Sequence, residues 1–347
     1  MSWNIFGFFP KVEPLYQAAQ KANSLELLKL LKFLYTKNQL NEKINRLYKH
    51  DEINLISPLS LALNRELIDL NCIRYLLLYG ADPSLNKRYA ISGDIGNAPI
   101  HEAARKKNLA AIAMLTLAGA SIYQGGTFGV TARILLDNAS DTESIDCFLE
   151  QLNNIQKKIK TGEQAVKNTK LESQVNIEST IIAYEKLMQK WYECHHENFL
   201  NQFKDEFKNC IIAFIEDKIA LLKFELYEFI IQQYDDFTHL SDDLKKKIKY
   251  LLTDILEYAN IEQLPICIEP LAGHLANLLI DTKIQKDPSI TQNSPSSFKE
   301  TLEQTYIVRR RDVNSHTKTK KSEESENHMN DSLVTINATH SSKTAMS

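Results

Sequence analysis

The feature that most restricts how this chain can fold is a recurring unit. A helix opened by proline is followed by a second, apolar helix that stops at Gly-Ala. The best-formed copy is Ala98-Pro-Ile-His-Glu-Ala-Ala104 followed by Leu115-Thr-Leu-Ala-Gly-Ala-Ser121, with 20 residues from Pro99 to Gly119. Proline suits the first helical position, where its missing N–H costs nothing and its φ is already helical. A glycine behind the last apolar pair can take the left-handed conformation that ends a helix. Such a unit cannot cover both of its own faces, so it predicts stacked neighbours.

The neighbours are present. Ser57-Pro-Leu-Ser-Leu-Ala-Leu63 leads into Tyr75-Leu-Leu-Leu-Tyr-Gly-Ala-Asp-Pro83, with 22 residues from Pro58 to Gly80. Downstream, Gly129-Val-Thr-Ala-Arg-Ile-Leu-Leu136 places Ala132 33 residues after Pro99. Its second helix is expected over Thr142–Leu152, capped by Ser140 or Asp141. Upstream, Glu13-Pro-Leu-Tyr-Gln-Ala-Ala19 and Leu25-Glu-Leu-Leu-Lys-Leu-Leu31 read as a degenerate first unit without the Gly-Ala stop. Alanines at 18–19, 62 and 103–104 let the two helices of a unit approach closely.

These motifs and their period resemble the ankyrin repeat over residues 10–152. The resemblance implies an all-α fold: a short solenoid of three to four units, followed here by a helical domain and a disordered tail. It also implies binding of another protein through the exposed face of the first helices and the loops, or fingers, between units. On that basis the binding residues are Lys21, Asn64, Arg65, Arg105 and Lys106 on the helices, with Gln20 and Asn138 beside them. Tyr89, Tyr123, Gln124 and Phe128 are the finger candidates. The resulting face is mildly basic and suits an acidic protein epitope. His101 occupies the histidine of the family's Thr-Pro-Leu-His signature, which implies a backbone-bonding, structural role. The long connections Lys32–Asn54 and Asn86–Asn97 depart from the family pattern.

Beyond residue 152 the character changes. Residues 153–174 are polar and Lys-rich with a glycine at 162, which predicts a linker or a solvated helix. No Gly or Pro occurs from 163 to 264, and apolar residues recur in steps of three and four from Ile177 to Phe229. That period predicts a helix over 175–235, broken at most once, within a helical domain spanning 175–283. Its aromatic stripe serves either as internal core or as the seam of a homodimer through 175–235. Ser241 is expected to cap a further helix, and Pro270 to open a last one. Residues 284–347 have tail composition, with a short helix at Phe298–Val308 and basic runs at Arg309-Arg-Arg311 and Lys318-Thr-Lys-Lys321 that resemble a split nuclear signal.

The combination of N-terminal ankyrin-like units, a private helical region, a bias to Lys, Asn and Ile, and a polar tail with a short Glu run resembles certain bacterial effectors. Those are ankyrin-containing proteins exported by type IV secretion from intracellular bacteria. The resemblance implies a host protein as target, with the host cytosol, or the host nucleus, as working compartment.

Composition limits the other classes. A net charge of −3 gives no field for nucleic acid. Five scattered cysteines without a CxxC suggest reduced thiols in a cytosolic setting. The Met1–Pro10 segment lacks a basic stretch and a cleavage site, so no signal peptide is expected. Charges interrupt the most apolar stretch, Cys210–Ile231, so no membrane span is expected. Nucleotide-binding, serine-hydrolase, kinase and Fic-type strings are absent. Cys194-His195-His196-Glu197 resembles a metal cluster only in composition, because adjacent residues on a helix diverge by about 100°. No catalytic, cofactor or metal residue is therefore assigned. The competing readings are a self-assembling helical protein, and an effector enzyme with an unrecognised site in the helical domain.

Overall fold

Short polar side chains and prolines set where each helix begins. The computed structural model describes residues 13–89, 95–136, 142–171, 177–233, 240–258, 260–268 and 270–275, and it is mostly helical. α1 (Pro14–Lys21), α4 (Pro58–Leu63) and α6 (Pro99–Arg105) all start on proline. α2 (Ser24–Thr36), α5 (Leu70–Leu78) and α7 (Leu109–Leu117) start behind Asn23, Asp69 and Asn108, whose side chains accept from backbone N–H groups of the first turn. α3 (Leu40–Ile44) and α8 (Ala132–Leu136) are single turns, and α9 runs from Thr142 to Leu171.

The helices stop as the sequence implies. Gly80 and Gly119 sit at φ +94° and +116°, and the N–H groups of Ala81 and Ala120 donate back to Leu76 and Leu115 at 2.9 Å. The degenerate first unit has a stop after all. Asn38 adopts φ +54°, and Gln39 N–H donates to the Leu34 carbonyl at 2.9 Å. Asparagine tolerates the left-handed region better than most residues, so it substitutes for glycine here.

Three helical pairs pack directly, α1/α2, α4/α5 and α6/α7, and Arg133 of α8 pairs with Asp146 of α9 at 2.5 Å. First helices pack in the order α1, α4, α6, α8, and second helices in the order α2, α5, α7, α9. The interface between the rows buries Ala18, Ala19, Ala62, Ala103 and Ala104, which allow close approach, together with Leu59, Ile73, Leu76 and Met114. His101 is fully buried. Its Nδ1 accepts from Ala98 N–H at 3.0 Å, and its Nε2 lies 2.8 Å from the Gln124 carbonyl, which makes Nε2 the protonated nitrogen. Burial lowers its pKa against those backbone bonds, so the imidazole is neutral and ties α6 to the following loop.

Three elements differ from the sequence expectation. The loops before α4 and α6 contain β1 (Tyr48–Lys49), β2 (Asn54–Ile56) and β3 (Arg88–Tyr89), which pair as an antiparallel sheet in that order. No alternating run of useful length marks such two- and three-residue strands. The boundary at 152 falls inside α9, and residues 153–171 of the segment expected as a linker or a solvated helix continue that helix, with Ile155, Ile159 and Val166 buried. Gly162 does not break that helix. A Cβ there would meet Leu187 Cδ1 at 2.9 Å, so glycine marks the close approach of the next helix, α10 (Ile177–Glu193).

α10 ends at two 3-10 turns over 194–202, and α11 (Asp205–Gln232) follows, so the long helix is broken once. α10 packs on α9 and α11, and α11 packs on α5 and α7 of the second-helix row. The apolar stripe is thereby spent inside the chain: Tyr184, Phe199, Ile211 and Phe214 are fully buried. The stripe is therefore mostly internal core, while Ile182, Tyr192 and Phe207 of the same segment stay 49%, 41% and 38% exposed. The segment joins the repeats through the buried ion pair of Arg74 on α5 with Asp217 on α11, Nε to Oδ2 at 2.5 Å. Gln156 on α9 donates to the Thr116 and Ala120 carbonyls at 2.7 and 2.6 Å, closing the end of α7.

The described residues form two compact units, one with 13–233 and 260–266, the other with 240–258, 267, 268 and 270–275. In the second, α12 (Asp242–Glu257) starts behind Ser241, whose hydroxyl accepts from Leu244 N–H at 3.4 Å, and buries Ile248, Leu251, Leu252 and Ile255. The tail over 284–347, its basic runs and the Phe298–Val308 helix lie outside the described residues, as do Asn138, Ser140 and Asp141. Among the described residues no helix is long and apolar enough to cross a membrane. Asp217→Ala strands the Arg74 guanidinium in the interior and is expected to cost about 3 kcal/mol in urea unfolding. Adding Arg74→Leu should recover part of that loss.

Candidate protein-interaction surface

The surface is built from the ends of the first helices and the loops that precede them. At the helix ends Lys21, Arg65 and Arg105 are exposed and Lys106 is half-buried, and Arg65 and Lys106 are already engaged. Arg65 Nη1 donates to the carbonyl of Gln20 at the end of α1, and Lys106 Nζ donates to the carbonyl of Arg65 just past α4. Each unit thus places a cation on the negative end of the preceding first helix. Arg105 Nη1 lies 3.2 Å from Glu102 Oε2, and Lys87 Nζ lies 3.4 Å from the other Glu102 oxygen. Lys21 and Asn64 are exposed, with no side-chain bond among the described residues. The row Lys21, Arg65, Arg105 therefore offers positive charge, partly committed to the stack itself.

The loops form three fingers. In the first, Asp51 Oδ1 accepts from the N–H groups of Ile53 and Asn54 at 2.8 and 2.7 Å, and its carboxylate also accepts from the Asn54 side chain. The Asn54 amide and those backbone bonds hold the Asp51 pKa below the usual carboxylate range. This tight turn leaves Ile53 exposed at the tip. The second finger is closed by Lys87 N–H to Asn97 O at 3.0 Å and Gly96 N–H to Lys87 O at 2.8 Å. Arg88 pairs with Ile95, which is 62% exposed. Residues 90–94 of this finger, including Asp94, lie outside the described residues.

Tyr89 was expected at a fingertip. It stands instead in β3, half-buried, with its hydroxyl 3.3 Å from Thr127 Oγ1 of the third finger. Gln124 is likewise structural, donating to Ser84 O at 2.8 Å and Asn86 Oδ1 at 2.7 Å. Both expectations fail for one reason: adjacent fingers bond to each other, so polar groups on their flanks are used up.

The third finger carries the sharpest feature. Gly126 N–H donates to Val130 O at 2.9 Å and Gly129 N–H to Gly126 O at 3.0 Å, and Thr127 N–H is held by Asn97 Oδ1 at 3.0 Å. A Cβ on Gly126 would stand 2.5 Å from Asn97 Oδ1 and 2.9 Å from His101 Nε2, so the finger lies directly on α6. At its tip Phe128 is 99% exposed and sits at φ +59°, in the left-handed region. Tyr123, 59% exposed, stands at the base of the same finger. Tyr123 and Phe128 are exposed as expected of finger residues, and Ile53 and Ile95, 53% and 62% exposed, are two exposed apolar positions that the sequence does not single out. The one available signal was an isoleucine set among Asp51, Glu52 and Asn54, where a core residue is out of place.

Cys194-His195-His196 forms the 3-10 turn that breaks the long helix, not a helix face. The Cys194 thiol is buried, donates to Lys190 O at 3.2 Å, and is pushed up to about 12. Among the described residues no group of three or more His, Cys, Asp or Glu side chains is placed to hold a metal. No protein-family model matches the chain, and no curated protein is significantly similar to it.

Phe128 contributes nothing to burial and holds a conformation that costs an L-residue about 1 kcal/mol. Phe128→Gly is accordingly expected to keep or raise stability by up to about 1 kcal/mol in thermal unfolding. A loss of more than about 1 kcal/mol would show that the ring packs against the fold.

Proposed function

We propose that this chain is an ankyrin-type protein-binding scaffold whose fingers and first-helix ends grip a partner protein. The observation that carries this reading is Phe128: a fully exposed aromatic, in strained backbone, on a finger braced by Asn97, His101 and Tyr89. Backbone strain kept without any gain in packing is characteristic of binding and switch sites. A rigidly presented aromatic is also the commonest kind of interface anchor. Ile53, Ile95 and Tyr123 add apolar contact from the same row of fingers, and Lys21, Arg65 and Arg105 add positive charge. The partner surface that fits is acidic with an apolar cleft.

The ankyrin assignment is supported by the paired helices, the Gly80 and Gly119 stops and the His101 bridge. The reading as an effector, exported by an intracellular bacterium and acting on a host protein, rests on the resemblance of the tail and the composition. Under it the partner belongs to the host cytosol or nucleus.

A photo-crosslinking residue at position 128, compared with one at the exposed Tyr250 of α12, tests the binding surface in host-cell lysate. The expected result is a discrete crosslinked protein from position 128 alone. Its yield should fall at least tenfold in a Lys21→Glu, Arg105→Glu double variant that retains its unfolding midpoint. Equal crosslinking from both positions, or undiminished yield in the folded double variant, would overturn the assignment.

A further inference from the structure

The first helical pair stands at one end of the stack, and its outer face is apolar. α2 packs on α1 and α5, and α1 packs on α4. Leu27, Leu31 and Leu34 form the buried stripe of α2. Yet seven of its thirteen residues are leucine or phenylalanine, more than one buried stripe uses. The remainder meets solvent: Leu25 is 62% and Phe33 54% exposed. Phe33 and the half-buried Leu30 line a shallow, open groove with Pro14 and Gln17 of α1. Glu26 and Lys29 add one charge of each sign, so the groove favours an uncharged occupant. The end unit of a stack has no neighbour to cover such a face, and stable stacks present a polar one there.

The chain leading into this groove has the matching character. Residues 1–12 lie outside the described residues. Among the first ten, Trp3, Ile5, Phe6, Phe8 and Phe9 are large and apolar, and none of the ten has an ionisable side chain. Left in water, such a run forgoes the transfer free energy of five large side chains. The departure point is fixed. Glu13 pairs through its carboxylate with Lys43 of α3, its carbonyl accepts from Gln17 N–H at 3.1 Å, and the next residue, Pro14, lines the groove. The α2 wall from Glu26 to Phe33 is about 10 Å long at about 1.5 Å per helical residue. Phe9 stands four positions before Glu13, a reach of about 13 Å at about 3.3 Å per residue. So short a tether gives its apolar residues an effective concentration on the order of millimolar at the groove, which a second copy or a free partner cannot match.

We propose that residues 3–9 of this chain fold back over the α1–α2 groove, with Phe8 and Phe9 against Phe33 and Ile5 and Phe6 toward Leu30. The segment is an intramolecular cap: it closes the apolar end of the repeat stack and blocks end-to-end association of chains through that face. The cap shares no residue with the finger surface, so the two stand or fall separately.

A photo-crosslinking residue at position 33 of the full chain, irradiated at micromolar concentration, tests the occupant directly. The expected product has the mass of one chain, with the adduct on the tryptic peptide Met1–Lys11. Removal of residues 1–9 and, separately, Phe33→Ser should each lower the thermal unfolding midpoint by about 3 °C or more. The two combined should lower it little further than the larger single change, because both remove the same contact. An adduct of doubled mass would assign the groove to a second copy and overturn the cap. An adduct on another segment, no adduct, an unchanged midpoint after the deletion, or fully additive shifts would overturn it as well. If Phe33→Ser does not fold, the crosslink and the deletion decide the matter.

Discussion

The ion pair between Arg74 and Asp217 is the constraint on which the larger unit depends. Its members stand 143 residues apart and are almost wholly removed from water. Two charges taken that far from solvent are costly unless they meet in good geometry, so the pair admits essentially one placement of α11 on the repeat rows. Shifting α11 by one residue along its axis would carry Asp217 about 1.5 Å and rotate it about 100°. Apolar packing alone tolerates such slips better than a buried ion pair does. Specificity of register is therefore the natural role of this pair, and Ile211, Phe214 and Ile215 follow it into the interface.

Once α11 is placed, the rest of the helical segment has little freedom. α10 must bridge from α9 to α11, and Gly162 lets it come close to α9 on one side. On the other side Trp191 meets Phe214 of α11, with ring centroids 6.3 Å apart. The same packing covers the second-helix row and leaves the fingers and the ends of the first helices as the accessible face of the repeats. Buried scaffold and exposed fingers are two consequences of one docking arrangement.

Local rules were readable in the residues because they act over a few positions. Pro58 and Pro99 open helices, Gly80 and Gly119 close them, and Ser241 caps α12, all within one turn of the residue responsible. His101 was also legible, since its bonds reach only the adjacent backbone and the next loop. The fingers were half legible. Tyr123 and Phe128 stand out as aromatics in a Gly-rich loop, but the flank-to-flank bonding that engages Tyr89 and Gln124 depends on strands too short to leave a pattern. The apolar stripe in α10 and α11 announced a buried face without naming what would bury it.

By itself, then, the sequence determined where helices start and stop, that they come in stacked pairs, and which faces must leave water. Tertiary structure alone decided that most of the aromatic stripe is covered by α5, α7 and α9. It alone brought Arg74 to Asp217, joined two loops into one sheet, and set Lys170 and Glu225 on the Tyr184 hydroxyl. The physical reason is range: capping and periodicity are satisfied by neighbours in the chain. The partner of a buried charge or an apolar face is chosen among residues more than a hundred positions away.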